Sequence, residues 1–93
     1  MKIFYYRTSS GREPVREYID SLPRPDQVIV AGDLKLIEGY GIHKAPVITR
    51  KLQGGAFKGK LWEIKTGSGH QQRIFYCIVK GDSMILLHAC KKQ

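Results

Sequence analysis

Ninety-three residues, 42% of them hydrophobic and 26% charged, match one small globular domain: too short for a second core and too balanced for a disordered chain. No apolar run approaches the roughly 18 residues that cross a bilayer, and Met1-Lys2-Ile3-Phe4-Tyr5-Tyr6-Arg7 is too short and aromatic for a secretory signal, so a soluble, cytoplasmic chain with no membrane partner is expected. The net charge of +8 arises wholly after residue 43: six Lys/Arg balance six acids before it, whereas ten face only Glu63 and Asp82 after it, the one-sided pattern that attracts nucleic acid.

Lys2 to Arg7, aromatic and β-branched, reads as a short strand ended by the turn Thr8-Ser9-Ser10-Gly11. Pro14 suits a first helical position, and Val15, Tyr18, Ile19 and Leu22 recur at the spacing of one helical face before Pro23 and Pro25 end the run. A second helix is expected from Pro25-Asp26, carrying Val28, Ile29, Leu36 and Ile37 to a stop at Gly39-Tyr40-Gly41. Beyond Val47 the pattern changes to strands over 48–52, 60–66, 72–80 and 83–90, punctuated by Gly54-Gly55, Gly67-Ser68-Gly69 and Gly81-Asp82. The sum is an α+β domain, β-α-α-β-β-β-β, with two N-terminal helices on one face of a mainly antiparallel sheet.

Two features of the last strands stand out. Residues 74–79 and 84–87 are continuously apolar instead of alternating, as in strands covered on both faces, while two helices cover only one. The chain is therefore expected to lack a C-terminal helix or to expose an apolar patch. Cys77 and Cys90 lie in separate strands and form no Cys/His cluster of metal-ligand spacing, so they read as free, buried thiols and no metal or other cofactor is expected.

Leu61-Trp62-Glu63-Ile64-Lys65, then Arg73-Ile74-Phe75-Tyr76, then Ile85-Leu86-Leu87-His88-Ala89 with Lys91-Lys92, resemble the phage-derived RelE/HigB-like toxins of type II toxin–antitoxin systems, the Gp49-like family. Lys51-Leu52 with its following glycines and the helix ending Glu38-Gly39 fit the same pattern. The resemblance covers essentially the whole chain and implies one RelE-like toxin domain over residues 1–93. It further implies an endoribonuclease, an mRNA interferase that cuts mRNA on the translating ribosome and is neutralised by a cognate antitoxin. That antitoxin is expected to be of helix-turn-helix type and to carry the pair to operator DNA. Two departures matter: Lys65 stands where the family commonly has arginine, and the helix that usually follows the Lys-Lys pair is absent.

The chemistry of metal-independent RNA cleavage needs three things: activation of a 2′-hydroxyl, stabilisation of the charge on the phosphorane and protonation of the departing 5′-oxygen. Arg73 is the candidate phosphate clamp, because guanidinium is permanently charged and matches phosphate oxygens geometrically; the competing reading is an ion pair with Glu63. His88 is of the side-chain type suited to proton transfer at neutral pH, against the alternative of a satisfied core histidine. Lys65 completes the catalytic candidates, and Lys51, Lys58, Lys60, Lys91 and Lys92 are the candidates for RNA contact. Lysine is a point charge without the guanidinium fork, and plain solvated charge is the alternative for each of them. Period-2 alternation groups Glu63 with Lys65, Arg73 with Phe75 and Cys77, and Met84 with Leu86 and His88. It sends Tyr76 to the other face as a core or partner-contact residue. Trp62 reads as core, and Phe57 as a loop anchor or a base-stacking ring.

Overall fold

The structure is a computed structural model that describes residues 1–52 and 60–93. Its elements run β1 (Lys2–Tyr5), α1 (Pro14–Asp20), α2 (Arg24–Tyr40), β2 (Ile48–Lys51), β3 (Trp62–Thr66), a 3-10 turn (Ser68–His70), β4 (Gln72–Val79) and β5 (Ser83–Lys91). The strands form one five-stranded sheet in the order β1-β5-β4-β3-β2. Neighbours are antiparallel except β1, which lies parallel to β5 with Phe4 opposite Ile85. The expected α+β architecture is thus present, and the chain returns to its first strand only after both helices and the meander are complete.

Both helices lie on one face of the sheet. Pro14 occupies the first turn of α1, where its missing N–H leaves no bond unmade, and Val15 is fully buried beneath it. On α2 the buried stripe is Val30, Leu34 and Ile37, at i, i+4 and i+7, and not the stripe through Val28 and Ile29, which are 58% and 38% exposed. Val28 stands two residues, about 200° of helical turn, from Val30; one face alone can meet the sheet. The stripe packs on Ile64, Ile74, Tyr76, Met84, Leu86 and Ala89, the inward members of three adjacent strands. Gly41 ends α2 with φ +82°, a conformation a side chain would strain, and its N–H closes on the carbonyl of Ile37.

The other face of the sheet is uncovered by any described element. Phe75, Cys77, Ile85 and Leu87 lie there half-buried, and Phe4 beside them is 52% exposed, so the described part of the molecule does present the expected apolar patch. Cys77 and Cys90 are free thiols, but neither is fully buried, because alternation puts both on this uncovered face. Trp62, at the edge of the core, is half-buried and stacks on Tyr76 at 6.5 Å.

A β-bulge corrects the expected grouping of Met84, Leu86 and His88. Tyr76 pairs with Leu86, yet Phe75 pairs with His88, so Leu87 is an extra residue on β5. Alternation restarts after it: Leu86 and Ala89 point into the core, and His88 is exposed on the opposite face from Met84 and Leu86.

Candidate nucleic-acid interface

The register assembles the candidate site on the uncovered face. Lys65 on β3 is directly opposite Arg73 on β4, and Arg73 is directly opposite Cys90 on β5. His88 is one step along, opposite Phe75 and stacked on its ring with centroids 5.9 Å apart at 26°. Arg73 and His88 are therefore diagonal neighbours on adjacent strands. Residues from three separate stretches of sequence share one surface because three antiparallel strands stack their outward positions.

A groove of ≈ 410 Å³ runs across this surface between Arg50, Glu63, Lys65, Arg73 and Phe75 on one side and Cys90, Lys91, Lys92 and Gln93 on the other. Phe75 also borders a second, mainly apolar hollow of ≈ 470 Å³, shared with Leu52, Leu61, Leu87 and His88. A cationic trough beside an apolar shelf is a chemical match for a strand of alternating phosphates and bases.

Arg73 is held in place from the helix side. The Gly67-Ser68-Gly69-His70 turn bends with φ +77° at Gly67, where an added Cβ would sit 2.6 Å from Gln72 Cγ and 3.0 Å from Asp26 Oδ1. Ser68 N–H donates to Asp26 Oδ1 at 2.8 Å, Thr66 Oγ1 to Asp33 Oδ2 at 2.6 Å, and Tyr18 Oη to Gln72 Oε1 at 2.6 Å. These bonds pin the turn to both helices, and the guanidinium of Arg73 donates Nη1–H to the carbonyls of His70 and Gln72. Main-chain acceptors thus orient the guanidinium, which retains further donors.

Glu63 pairs with Arg50, not with Arg73: Arg50 Nε lies 2.9 Å from Glu63 Oε1, across the β2–β3 ladder. The carboxylate side chain is 4% exposed. Among the described residues the contact of Oε1 with Arg50 is an ion pair and not an aligned hydrogen bond. Arg50 thus joins the groove, a residue that sequence reasoning passed over; its place one residue before Lys51 on a short strand was the available signal.

The remaining candidates divide. Lys92 and Lys91 border the groove's end, and Lys91 is the partner of Gln72. Lys51 is on the other face, its Nζ 5.9 Å from the Trp62 ring, so alternation separates it from Arg50 and from the groove. Lys60 is exposed just before β3 and lines neither hollow. Lys58, Phe57 and the Gly54-Gly55 turn lie outside the described residues. Tyr76 is 1% exposed and faces the core; burial pushes its hydroxyl up to about 12, despite a hydrogen bond with Thr49 that lowers it. A phenol so placed keeps its proton at neutral pH and stands on the far side of the sheet from Arg73.

Among the described residues no helix is long and apolar enough to cross a membrane, and no group of three or more His, Cys, Asp or Glu side chains is placed to hold a metal ion. No curated protein matches the chain. The model of the phage derived protein Gp49-like family (DUF891) matches residues 17–93, from the first turn of α1 to the end of β5 and the residues after it. That span holds both hollows, the polar pins and all the groove cations, and a toxin of this kind implies an antitoxin as its partner. The chain belongs to the Gp49-like family of phage-derived proteins, a RelE-like toxin family.

Proposed function

We propose that the protein is a HigB-like toxin that arrests translation as a metal-independent endoribonuclease, cutting mRNA in the groove on the uncovered face of the sheet. The observation that carries this reading is the side-by-side register of Lys65, Arg73 and Cys90, with His88 one step along. Those neighbouring positions support a reading in which a guanidinium, an ammonium and an imidazole serve one phosphodiester. Arg73 binds the non-bridging oxygens and meets the charge that builds as the 2′-oxygen, giving up its proton to water, attacks phosphorus and closes a 2′,3′-cyclic phosphate. Lys65 adds a second positive charge from the facing strand. His88, exposed beside them, delivers a proton to the 5′-oxygen as the P–O5′ bond breaks. Lys92 and Lys91 continue the cationic track, Lys51 and Lys60 are peripheral contacts to RNA or ribosome, and Lys58 is a further proposed RNA contact. The apolar shelf at Phe75 supports a neighbouring base by stacking.

The ribosome and its mRNA are the proposed targets in the cytoplasm. A helix-turn-helix antitoxin is the proposed form of the partner, and it takes the complex to operator DNA.

The test adds purified protein to ribosomes programmed with a defined mRNA. Cleavage is expected with the wild type and strongly reduced with Arg73→Ala or His88→Ala. Intact mRNA at stoichiometric protein would overturn the reading. Binding without cleavage would select a catalytically silent RNA-, ribosome- or operator-binding module. Arrested DNA replication with translation spared would select a ParE-type inhibitor of gyrase on the same fold.

A further inference from the structure

The turn that joins β3 to β4 is held in a form that its residue types do not favour. His70 carries a side chain yet has φ +55°, in the left-handed region that L residues with a side chain rarely adopt. The other such residue among those described, Lys80, opens the tight Lys80-Gly81 hairpin turn between β4 and β5, which requires that conformation. No hairpin turn of that kind accounts for His70. Strained backbone persists only where its surroundings fix it, and it gathers at functional sites. Here the surroundings do fix it: from Gly67 to Gln72 each main-chain carbonyl accepts a hydrogen bond, from the N–H of His70, Gln71 or Lys92 or from the side chain of Gln71 or Arg73. The lock on the helix side is Asp26. An acid in the first turn of a helix ordinarily faces that helix's own free N–H groups. Asp26 Oδ1 instead accepts from the N–H of Ser68, 42 residues away, at 2.8 Å.

This cradle ends on a guanidinium that lines the groove. Arg73 Nη1 donates to the His70 carbonyl at 2.5 Å and to that of Gln72 at 3.2 Å. Resting on the reading that Arg73 clamps a phosphate there, we propose that Asp26 is a positioning residue for the reaction, acting through the His70 carbonyl. By holding Ser68 it keeps the turn in its left-handed form, and the turn keeps the guanidinium aimed across the groove before a ligand arrives. Asp26 itself touches no RNA. The working group of His70 is its main-chain oxygen, and its exposed imidazole is dispensable.

Binding of a single-stranded RNA across a salt series, and cleavage of mRNA on programmed ribosomes, test this with the full chain. Asp26→Ala should lower cleavage about tenfold or more, the effect of a displaced reacting group. It should also flatten the log–log salt slope of binding by about 0.7, as Arg73→Ala does, a change that a purely structural role would not produce. Both substitutions act on one contact, so the double variant should be no weaker than Arg73→Ala alone. Asp26→Asn keeps the acceptor oxygen, guards against a variant that fails to fold, and should restore most of the loss. His70→Gly relieves the backbone and keeps the carbonyl, and should cleave as the wild type does. His70→Val, β-branched and ill suited to a left-handed backbone, should behave like Asp26→Ala. Full additivity in the double variant, an Asp26→Ala protein that is less stable yet keeps the wild-type slope and cleavage, or loss of cleavage in His70→Gly would overturn the proposal. Reduced cleavage in Arg73→Ala with none in Asp26→Ala and His70→Val would remove the positioning role and leave the ribonuclease reading intact. An Arg73→Ala protein that binds and cuts as the wild type does would remove both.

Discussion

The helical half and the sheet half of this molecule use the same charged side chains in opposite ways. Before residue 43, Arg7 and Arg16 both pair with Glu13, Arg12 pairs with Glu17, and Arg16 also lies over the Tyr5 ring at 4.1 Å. Positive charge there is neutralised locally. After residue 43, Arg50–Glu63 is the one ion pair of a Lys or Arg among the described residues, and Lys65, Arg73 and Lys92 gather on the uncovered face. The comparison teaches that net charge locates a binding surface only after internal pairing has been subtracted. By that measure the surplus of +8 is concentrated on the sheet.

Several substitutions break or sharpen this contrast. The largest expected effect is on the sheet side: Arg73→Ala should lower cleavage about 10²–10³-fold, the usual consequence of removing one donor from a developing oxyanion, with little change in thermal unfolding. Arg12→Ala in the helical half, measured in the same assay, should leave cleavage unchanged. Next comes the joint between the halves. Gly67→Ala forces a side chain into a positive-φ position already closed by Gln72 and Asp26, and should destabilise the fold by about 1–3 kcal/mol in chemical denaturation. Loosening that turn should also reduce cleavage, because His70 carries the carbonyl that anchors Arg73.

Salt gives a smaller, graded readout. Affinity for single-stranded RNA should fall as salt rises, and the log–log slope should become shallower by about 0.7 for each groove cation removed, so Arg73→Ala flattens it and Arg12→Ala does not. The smallest effect is on acid stability. The side-chain hydrogen bonds from Arg7 and Arg16 hold the Glu13 carboxyl below its ordinary range, and that from Arg12 does the same for Glu17. Groups lowered on folding stabilise above their unfolded value of about 4.3, and that contribution disappears as pH falls through the folded value. Both carboxylates lie at the surface, Glu17 exposed and Glu13 partly so, and solvent screens their ion pairs. Removing Glu13 and Glu17 should therefore leave the unfolding midpoint at pH 7 almost unchanged and slightly flatten its decline below pH 4.

Much of the fold was legible because the signals were local. The apolar spacing of Val15, Tyr18 and Ile19 and the Gly-punctuated apolar runs each specify an element without knowledge of its neighbours. The rest depends on what lies across a gap. The buried stripe of α2 runs through Val30 and Leu34 because the sheet selects one of the faces that the helix offers. The parallel pairing of β1 with β5 joins opposite ends of the chain, and no local pattern encodes it. Within the site, the motif residues Lys65, Arg73 and His88 could be named from sequence, whereas the partner of Glu63 could not. Arg50 and Arg73 are equally good partners for a carboxylate on paper, and only the β2–β3 register decides between them. The orientation of His88 was misjudged for a similar reason: counting by twos from Met84 fails once a strand contains an odd residue.

That odd residue, Leu87, bears on how such a strand tolerates change. Removing it would leave Leu86 inward, His88 outward and Ala89 inward, an unbroken ladder in which Phe75 still faces His88 and Arg73 still faces Cys90. The imidazole's direction is thus indifferent to a one-residue deletion at this point, whereas a deletion at Ala89 would turn every side chain beyond it to the wrong side. Length variation in β5 is safe at a single position, and that position sits immediately before the histidine.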